Sequence, residues 1–185
     1  LLLKEQNIFM AKLIALNKPF GVICQFSGDK NTLSDYIDIP KVYPVGRLDK
    51  DSEGLVILTD DGRLQNSIAH PKYNKTKTYI VQVEGEIDET SSILLQKGVR
   101  LKDGITKPAV VKIITKPNWL WERTPPIRVR KNIPTSWIEI SISEGKNRQV
   151  RRMTANIGFP TLRLIRTRID QWSLGDISPG SYITL

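Results

Sequence analysis

The sequence predicts an α+β protein built on a mixed, mainly antiparallel sheet with a few flanking helices. Three observations predict it. Short β-rich runs recur along the chain, only two stretches carry a helical pattern, and the two kinds of segment follow no regular βαβ rhythm. With 185 residues, 39% of them apolar, the chain can bury a real core, as one large domain or as two small lobes sharing a cleft.

Each element has its own signal. KLIALN (12–17) and GVICQF (21–26), joined around Lys18-Pro19-Phe20-Gly21, predict two strands and a turn. LVILT (55–59) is a compact β-like run closed by Asp60-Asp61-Gly62, and TYIVQVEG (78–85) alternates as a strand does. Asp88 before ETSSILLQKG predicts a helix with Asp88 as N-cap and Gly98 near its end. KPAVVKIIT (107–115) and SWIEISISEG (136–145) predict further strands. Between them Pro117, Pro125, Pro126 and Pro134 forbid regular structure over 116–135, a segment that also carries Trp119 and Trp121. In KNRQVRRMTANIG (146–158), Val150, Met153, Thr154 and Ile157 share one helical face and Gly158 stops the helix. That face turns to the core and leaves Arg148, Arg151 and Arg152 for other faces. TLRLIR (161–166) predicts another strand.

Residues 1–10 are set apart as an N-terminal extension, with Met10 a candidate start, and residues 11–185 as one domain of two sub-lobes. Lys4 and Glu5 interrupt the leading leucines, so neither a signal peptide nor a membrane span of about 20 apolar residues is expected. The single cysteine, Cys24, excludes an internal disulfide and fits a reducing cytoplasm. Its neighbours Ile23 and Gln25 sit in an apolar run, which suits a buried bystander better than a nucleophile. One His and one Cys are too few for a His/Cys zinc site. Against 19 acids stand 28 Lys and Arg, for a pI near 9.7 and an expected polyanionic partner.

GRLDKDSEGLVILTDDG (46–62) runs against that balance, with five carboxylates in seventeen residues. Asp49, Asp51, Glu53, Gly54 and Asp60 fall on positions 1, 3, 5, 6 and 12 of a calcium loop. A bidentate Glu is missing at the twelfth place, and LVILT after the loop is strand-like where a helix is required, so this chemistry is disfavoured. Asp49 and Glu53 could instead be the acid and nucleophile of a glycosidase-type hydrolase. Asp51, Asp60 and Asp61 suit solvated turn positions. Local chemistry leaves catalytic and hydrolytic readings of Asp49 open.

The order GRLDKDSEGLVILTDDG, KTKTYIVQVEG, EGKNRQVRRM and LRLIR resembles the ribosomal pseudouridine synthases, and more the large-subunit enzymes of that family than the small-subunit ones. The likeness runs from about Lys12 to Leu185. It implies the family's sheet with a central RNA cleft, without the N-terminal S4 domain that many relatives carry. It implies an enzyme that isomerises a uridine to pseudouridine in ribosomal RNA, 23S rRNA being the expected partner, on a flipped-out base. Asp49 matches the catalytic aspartate and Arg47 a residue that holds the RNA. Tyr79 should stack on the uracil, Val150 should wall the base pocket, and Arg166 should pair with the aspartate. The reaction needs no cofactor and no metal, and a cytoplasmic monomer acting on RNA away from membranes is expected. From Gly145 to Arg168 seven cations stand with no acid. Such a run is ordinarily a solvated face; lying beside the pocket motifs, it makes Arg148, Arg151 and Arg152 expected phosphate contacts. A non-catalytic RNA-binding assembly module shares the charge and the aromatics but gives Asp49 no reason to lie between Arg47 and Tyr79.

Overall fold

The structure, a computed structural model, describes residues 10–185; apart from Met10 the expected N-terminal extension lies outside the described residues. In chain order come β1 (Leu13–Lys18), β2 (Tyr43–Val45), β3 (Glu53–Thr59), α1 (Gly62–Ala69), β4 (Lys77–Glu84) and α2 (Glu89–Lys97). The hairpin β5 (Arg100–Leu101) and β6 (Gly104–Ile105) precedes β7 (Val110–Ile114) and β8 (Thr135–Ile142). Then follow α3 (Gln149–Asn156), β9 (Thr161–Ile169), β10 (Trp172–Ser173) and β11 (Tyr182–Thr184). Nine strands form one sheet in the order β11-β1-β3-β9-β4-β8-β7, with β2 on β3 and β10 on β9. All its pairings are antiparallel except β3 with β9. The expected mixed, mainly antiparallel sheet is what forms.

The sheet has two unlike faces. On the back, Ala15, Leu55, Ile57, Ile80, Trp137 and Ile165 make one continuous core, covered by Leu120 and Trp121 of the segment 116–135. Up to Pro134 that segment has no helix or strand, as its prolines require, and β8 begins at Thr135. On the front the core is divided. Val81, Val83, Ile138, Ile140 and Leu164 pack against Leu95 of α2 and Val150 and Met153 of α3. Ile14, Leu16, Val56 and Leu58 pack instead against Val22, Leu33, Ile37 and Val42. Alternation along each strand produces this split: even residues of β3 and odd residues of β4 face front.

The seam between the front clusters is the short parallel contact of β3 with β9, where Glu53 pairs with Ile165 and Gly54 with Arg166. Gly54 has φ +106°, and a Cβ there would lie 2.3 Å from the Arg166 carbonyl oxygen. Only glycine lets the strands approach this closely. Beyond Gly54 the same edge of β3 is taken by β2, through Tyr43–Thr59 to Val45–Ile57. The chain between β2 and β3 therefore emerges where β2 and β9 diverge.

Several elements differ from the sequence reading. GVICQF forms no strand: Ile23 makes only an isolated bridge to Thr32, and Gly21 and Gly28 both take positive φ. Its alternation is real but reports burial, since Val22 and Cys24 turn into the core. β1 pairs with β3 and β11 instead. Helix α1 is absent from the sequence reading; Leu64 and Ile68, one turn apart, pack on the back core, and its N-cap is Asp61, which accepts from the Arg63 and Leu64 amides. Helix α2 starts as expected, with the Asp88 carboxylate accepting the Ser91 amide and Gly98 at its end.

Glu53 is 1% exposed and belongs to the back face. Its carboxylate accepts from Arg163 Nε at 2.8 Å and Nη2 at 3.0 Å, and from Trp121 Nε1 at 2.8 Å. A buried pair satisfied this fully ties the proline-rich segment to the sheet centre. Removing one partner strands the other charge in an apolar setting. Glu53→Gln is expected to lower stability by about 3–5 kcal/mol, read by urea unfolding, while the protein that remains folded keeps its activity.

Candidate active site

The seven-residue stretch Gly46–Ser52 crosses the front of the sheet at the seam, and Asp49 lies within it. Two side chains from elsewhere and one of its own fix its path. Arg166, 3% exposed, projects forward from β9 and donates through Nη2 to the Gly46 carbonyl at 2.7 Å and through Nε to Leu55 at 2.9 Å. Arg47 Nε donates to the Cys24 carbonyl at 3.2 Å. Lys18, fully buried, donates through Nζ to Val22 at 2.8 Å, Pro19 at 2.9 Å and Lys50 at 3.4 Å. A buried ammonium is tolerable only with such partners. Burial pushes its pKa down to about 8, against the raising influence of the nearby Glu53 and Asp51 carboxylates.

The other wall comes from α3. Arg148, in the left-handed region at φ +49°, precedes the helix and makes no side-chain cap. Its guanidinium reaches the loop instead: Nη2 to Asp51 Oδ2 at 2.7 Å, Nη1 to Asp51 Oδ1 at 3.0 Å, and Nη1 to Asp49 Oδ2 at 3.4 Å. The Arg148 hydrogen bond holds the Asp51 carboxyl below the usual carboxylate range, and the same bond raises the Arg148 pKa. Arg151 is largely buried and donates to the Asp51 carbonyl at 2.7 Å and Ser52 Oγ at 3.2 Å. Its own pKa is lowered, chiefly by burial. Arg152 leaves this side and pairs with Asp103 at 2.8 and 3.2 Å.

Between these walls lies a cleft of about 840 Å³. It gathers Arg47, Asp49, Tyr79, Arg148, Val150 and Arg166 from four separate stretches of chain. Tyr79 is the cross-strand partner of Arg166, so both face the cleft. Val150 is 4% exposed and sits in the core beneath it. Of the eight residues singled out in the sequence, Arg151 and Arg152 alone do not line the cleft. The expected ion pair between Arg166 and Asp49 is not formed: Arg166 is held by two main-chain carbonyls, and Arg148 is the guanidinium at Asp49. Sequence reasoning missed Lys77, which lines the cleft on the strand that carries Tyr79. Burial first, and Arg166 second, lower its pKa. The KTY order was a signal for it. Lys50 and Lys146 also line the cleft, and among the described residues none of these three lysines forms an ion pair.

The acidic stretch is thereby explained. Asp49 and Asp51 face Arg148, Glu53 is buried on the opposite face, Asp60 accepts the Lys12 amide at 2.8 Å, and Asp61 caps α1. Asp49 and Glu53 reach opposite faces, so they form no carboxylate pair, and no three carboxylates gather as a calcium loop would require among the described residues. Asp51, expected to be simply solvated, is an ion-pair partner. Cys24 is buried in the core, as expected. No helix among the described residues is long and apolar enough to cross a membrane.

A basic cleft centred on one aspartate, on a mixed sheet with this strand order, defines a class. Residues 12–156 match the family described as RNA pseudouridylate synthase, and the chain belongs to that family. It is an RNA pseudouridine synthase, an isomerase. Two relatives are described as ribosomal large subunit pseudouridine synthase E. The one from Vibrio parahaemolyticus is 54% identical over 173 residues, 92% of this chain and 72% of the relative. That from Xanthomonas campestris is 51% identical over 174 residues, 92% and 93% of the two chains. A crystal structure of a pseudouridylate synthase superposes with TM-score 0.77 at 31% identity, over 97% of this chain and 72% of that one.

Lys18 offers a measurable titration. It releases its proton near pH 8 in the folded state and near 10.5 in the unfolded chain. Between those values the unfolded chain binds more protons, so this group makes stability rise with pH. Urea unfolding of wild type and Lys18→Met across pH 8 to 10.5 should show that rise in wild type and its loss in the variant.

Proposed function

We propose that this enzyme converts a uridine of ribosomal RNA, 23S rRNA of the large subunit, to pseudouridine, with Asp49 as the catalytic carboxylate. The observation that carries the reading is the convergence of Asp49, Tyr79, Arg166 and Val150 in one cleft whose other charged groups are cations. The large-subunit substrate is supported by the names of relatives about half identical to this chain over the matched stretch.

The isomerisation breaks the N1–C1′ bond, turns the base, joins C5 to C1′, and moves a proton from C5 while N1 gains one. Atoms and electrons balance without an oxidant, a group donor or a metal. Asp49 acts at the ribose, by attack on C1′ or by taking a sugar proton; both routes need an ionised carboxylate. A buried base reaches such a cleft only by flipping out of its stack, which costs a few kcal/mol. Tyr79 offers a stacking face and a hydroxyl for proton transfer, and Val150 supplies the apolar floor. Arg166 holds the loop while one edge of its guanidinium faces the substrate. Arg47, Lys50, Lys77 and Lys146 meet phosphates, offsetting the flipping cost. Arg148 joins them at the cleft edge, Arg151 acts by bracing the loop, and Arg152 reaches RNA only on leaving Asp103.

Carbodiimide primer extension on unmodified 23S transcript should reveal a new pseudouridine with wild type and none with Asp49→Asn, although the variant stays folded and binds RNA. Conversion by Asp49→Asn would overturn the assignment. Tyr79→Phe should keep RNA affinity and lose turnover, whereas Tyr79→Leu should weaken binding by about 1–3 kcal/mol. Parallel loss of melting temperature in both would make Tyr79 a packing residue. Lys146→Ala should reduce the slope of log K against log salt by about one, and Arg152→Ala by less, because Asp103 already neutralises it.

A further inference from the structure

The Arg148–Asp51 contact makes an odd stabilising device. Both side chains are well exposed, at 42% and 37%. Exposed pairs add little to stability, so this geometry is not explained by folding energy. What it does fix is orientation. A two-point guanidinium–carboxylate contact sets the plane and the azimuth of the guanidinium, which a single hydrogen bond does not. Here it leaves Nη1 shared, 3.0 Å from Asp51 Oδ1 and 3.4 Å from Asp49 Oδ2. Asp49 is thus touched by one nitrogen, on one oxygen, at the long end of hydrogen-bonding distance.

We infer that Asp51 is a positioning residue for the reaction: it holds Arg148 side-on to the catalytic carboxylate and keeps it from closing a two-point pair on Asp49. The inference rests on reading Asp49 as the catalytic carboxylate. Arg148 stands just before α3, with no cap bond of its own to restrain it. Its guanidinium already spans both aspartates, so loss of the Asp51 charge leaves Asp49 as its carboxylate partner. Two nitrogens on Asp49 would occupy both oxygens that the ribose must meet. Asp51 Oδ1 also lies 3.6 Å from Arg151 Nη2, but the main chain of the loop has other holds. Arg151 holds the Asp51 carbonyl and Ser52 Oγ, and Lys18 holds the Lys50 carbonyl. Removing the carboxylate charge therefore frees Arg148 without dismantling the site.

The test is a double-mutant cycle on 23S transcript. Asp51→Asn should lower kcat about tenfold with KM within about twofold, as small misplacements of a reacting group do. Its melting temperature should stay within about 2 °C of wild type. Once Arg148→Ala has removed the guanidinium, adding Asp51→Asn should change kcat no further. Wild-type kcat in Asp51→Asn, an equal loss in both backgrounds, or a parallel fall in melting temperature would overturn the inference. NMR of the Arg148 guanidinium nitrogens in the RNA-free protein decides it independently of activity. The signal should shift in Asp51→Asn and become sensitive to a further Asp49→Asn; a signal indifferent to Asp51→Asn overturns the inference. A wild type that forms no pseudouridine would sink the function reading alone, because the NMR comparison stands without it.

Discussion

The two-residue parallel contact between β3 and β9 is the constraint on which this molecule turns. Gly54 permits it, and the residues beside it on each strand work on both faces of the sheet. Behind, Glu53 of β3 and Arg163 of β9 form the buried pair that anchors Trp121 and the proline-rich segment. In front, Arg166 of β9 grips the Gly46 and Leu55 carbonyls and so sets the path of the aspartate loop. A strand pair this short owes little to its own ladder. It is held by two arginines of one strand, three residues apart and pointing opposite ways, which is what the pleat makes of that spacing.

The front face gains its cleft from the same junction. Two apolar clusters cover the front, one under α2 and α3 and one under the 22–42 segment, and neither closes over the seam. The opening is lined by main chain, by Tyr79 and by long cationic side chains. Asp49 is the one carboxylate among its lining residues. An anionic polymer is drawn to such a surface by the lysines, which the described protein leaves unpaired, while Arg148 and Arg152 are already matched to acids. Matched arginines contribute geometry; unmatched lysines contribute field.

The acid-rich stretch shows how one run of similar residues divides into unrelated jobs. Asp49 lines the cleft, Asp51 orients an arginine, Glu53 anchors the back of the sheet, Asp60 ties β3 to the chain before β1, and Asp61 begins a helix. Their spacing imitates a calcium loop because turn and strand geometry both place carboxylates two apart. What separates them is the face of the sheet each reaches.

The sequence by itself determined the α+β class, the two helices with strong caps or stripes, the lack of helix or strand from 116 to 134, and the motif residues that line the cleft. These are legible because periodicity, prolines and caps act within a few residues, and because motif order survives without a structure. It also assigned burial to Cys24 even where it misplaced it in a strand, since alternation records a buried face whether or not a ladder forms. Tertiary structure alone decided the rest. The pairing of β1 with β3 rather than with 21–26, the partner of Arg166, and the pairing of Arg148 with Asp51 across 97 positions are all non-local. Which guanidinium meets which carboxylate depends on strand register and on the angle at which α3 meets the loop. A chain rich in both charges allows many such pairings, and only packing selects among them.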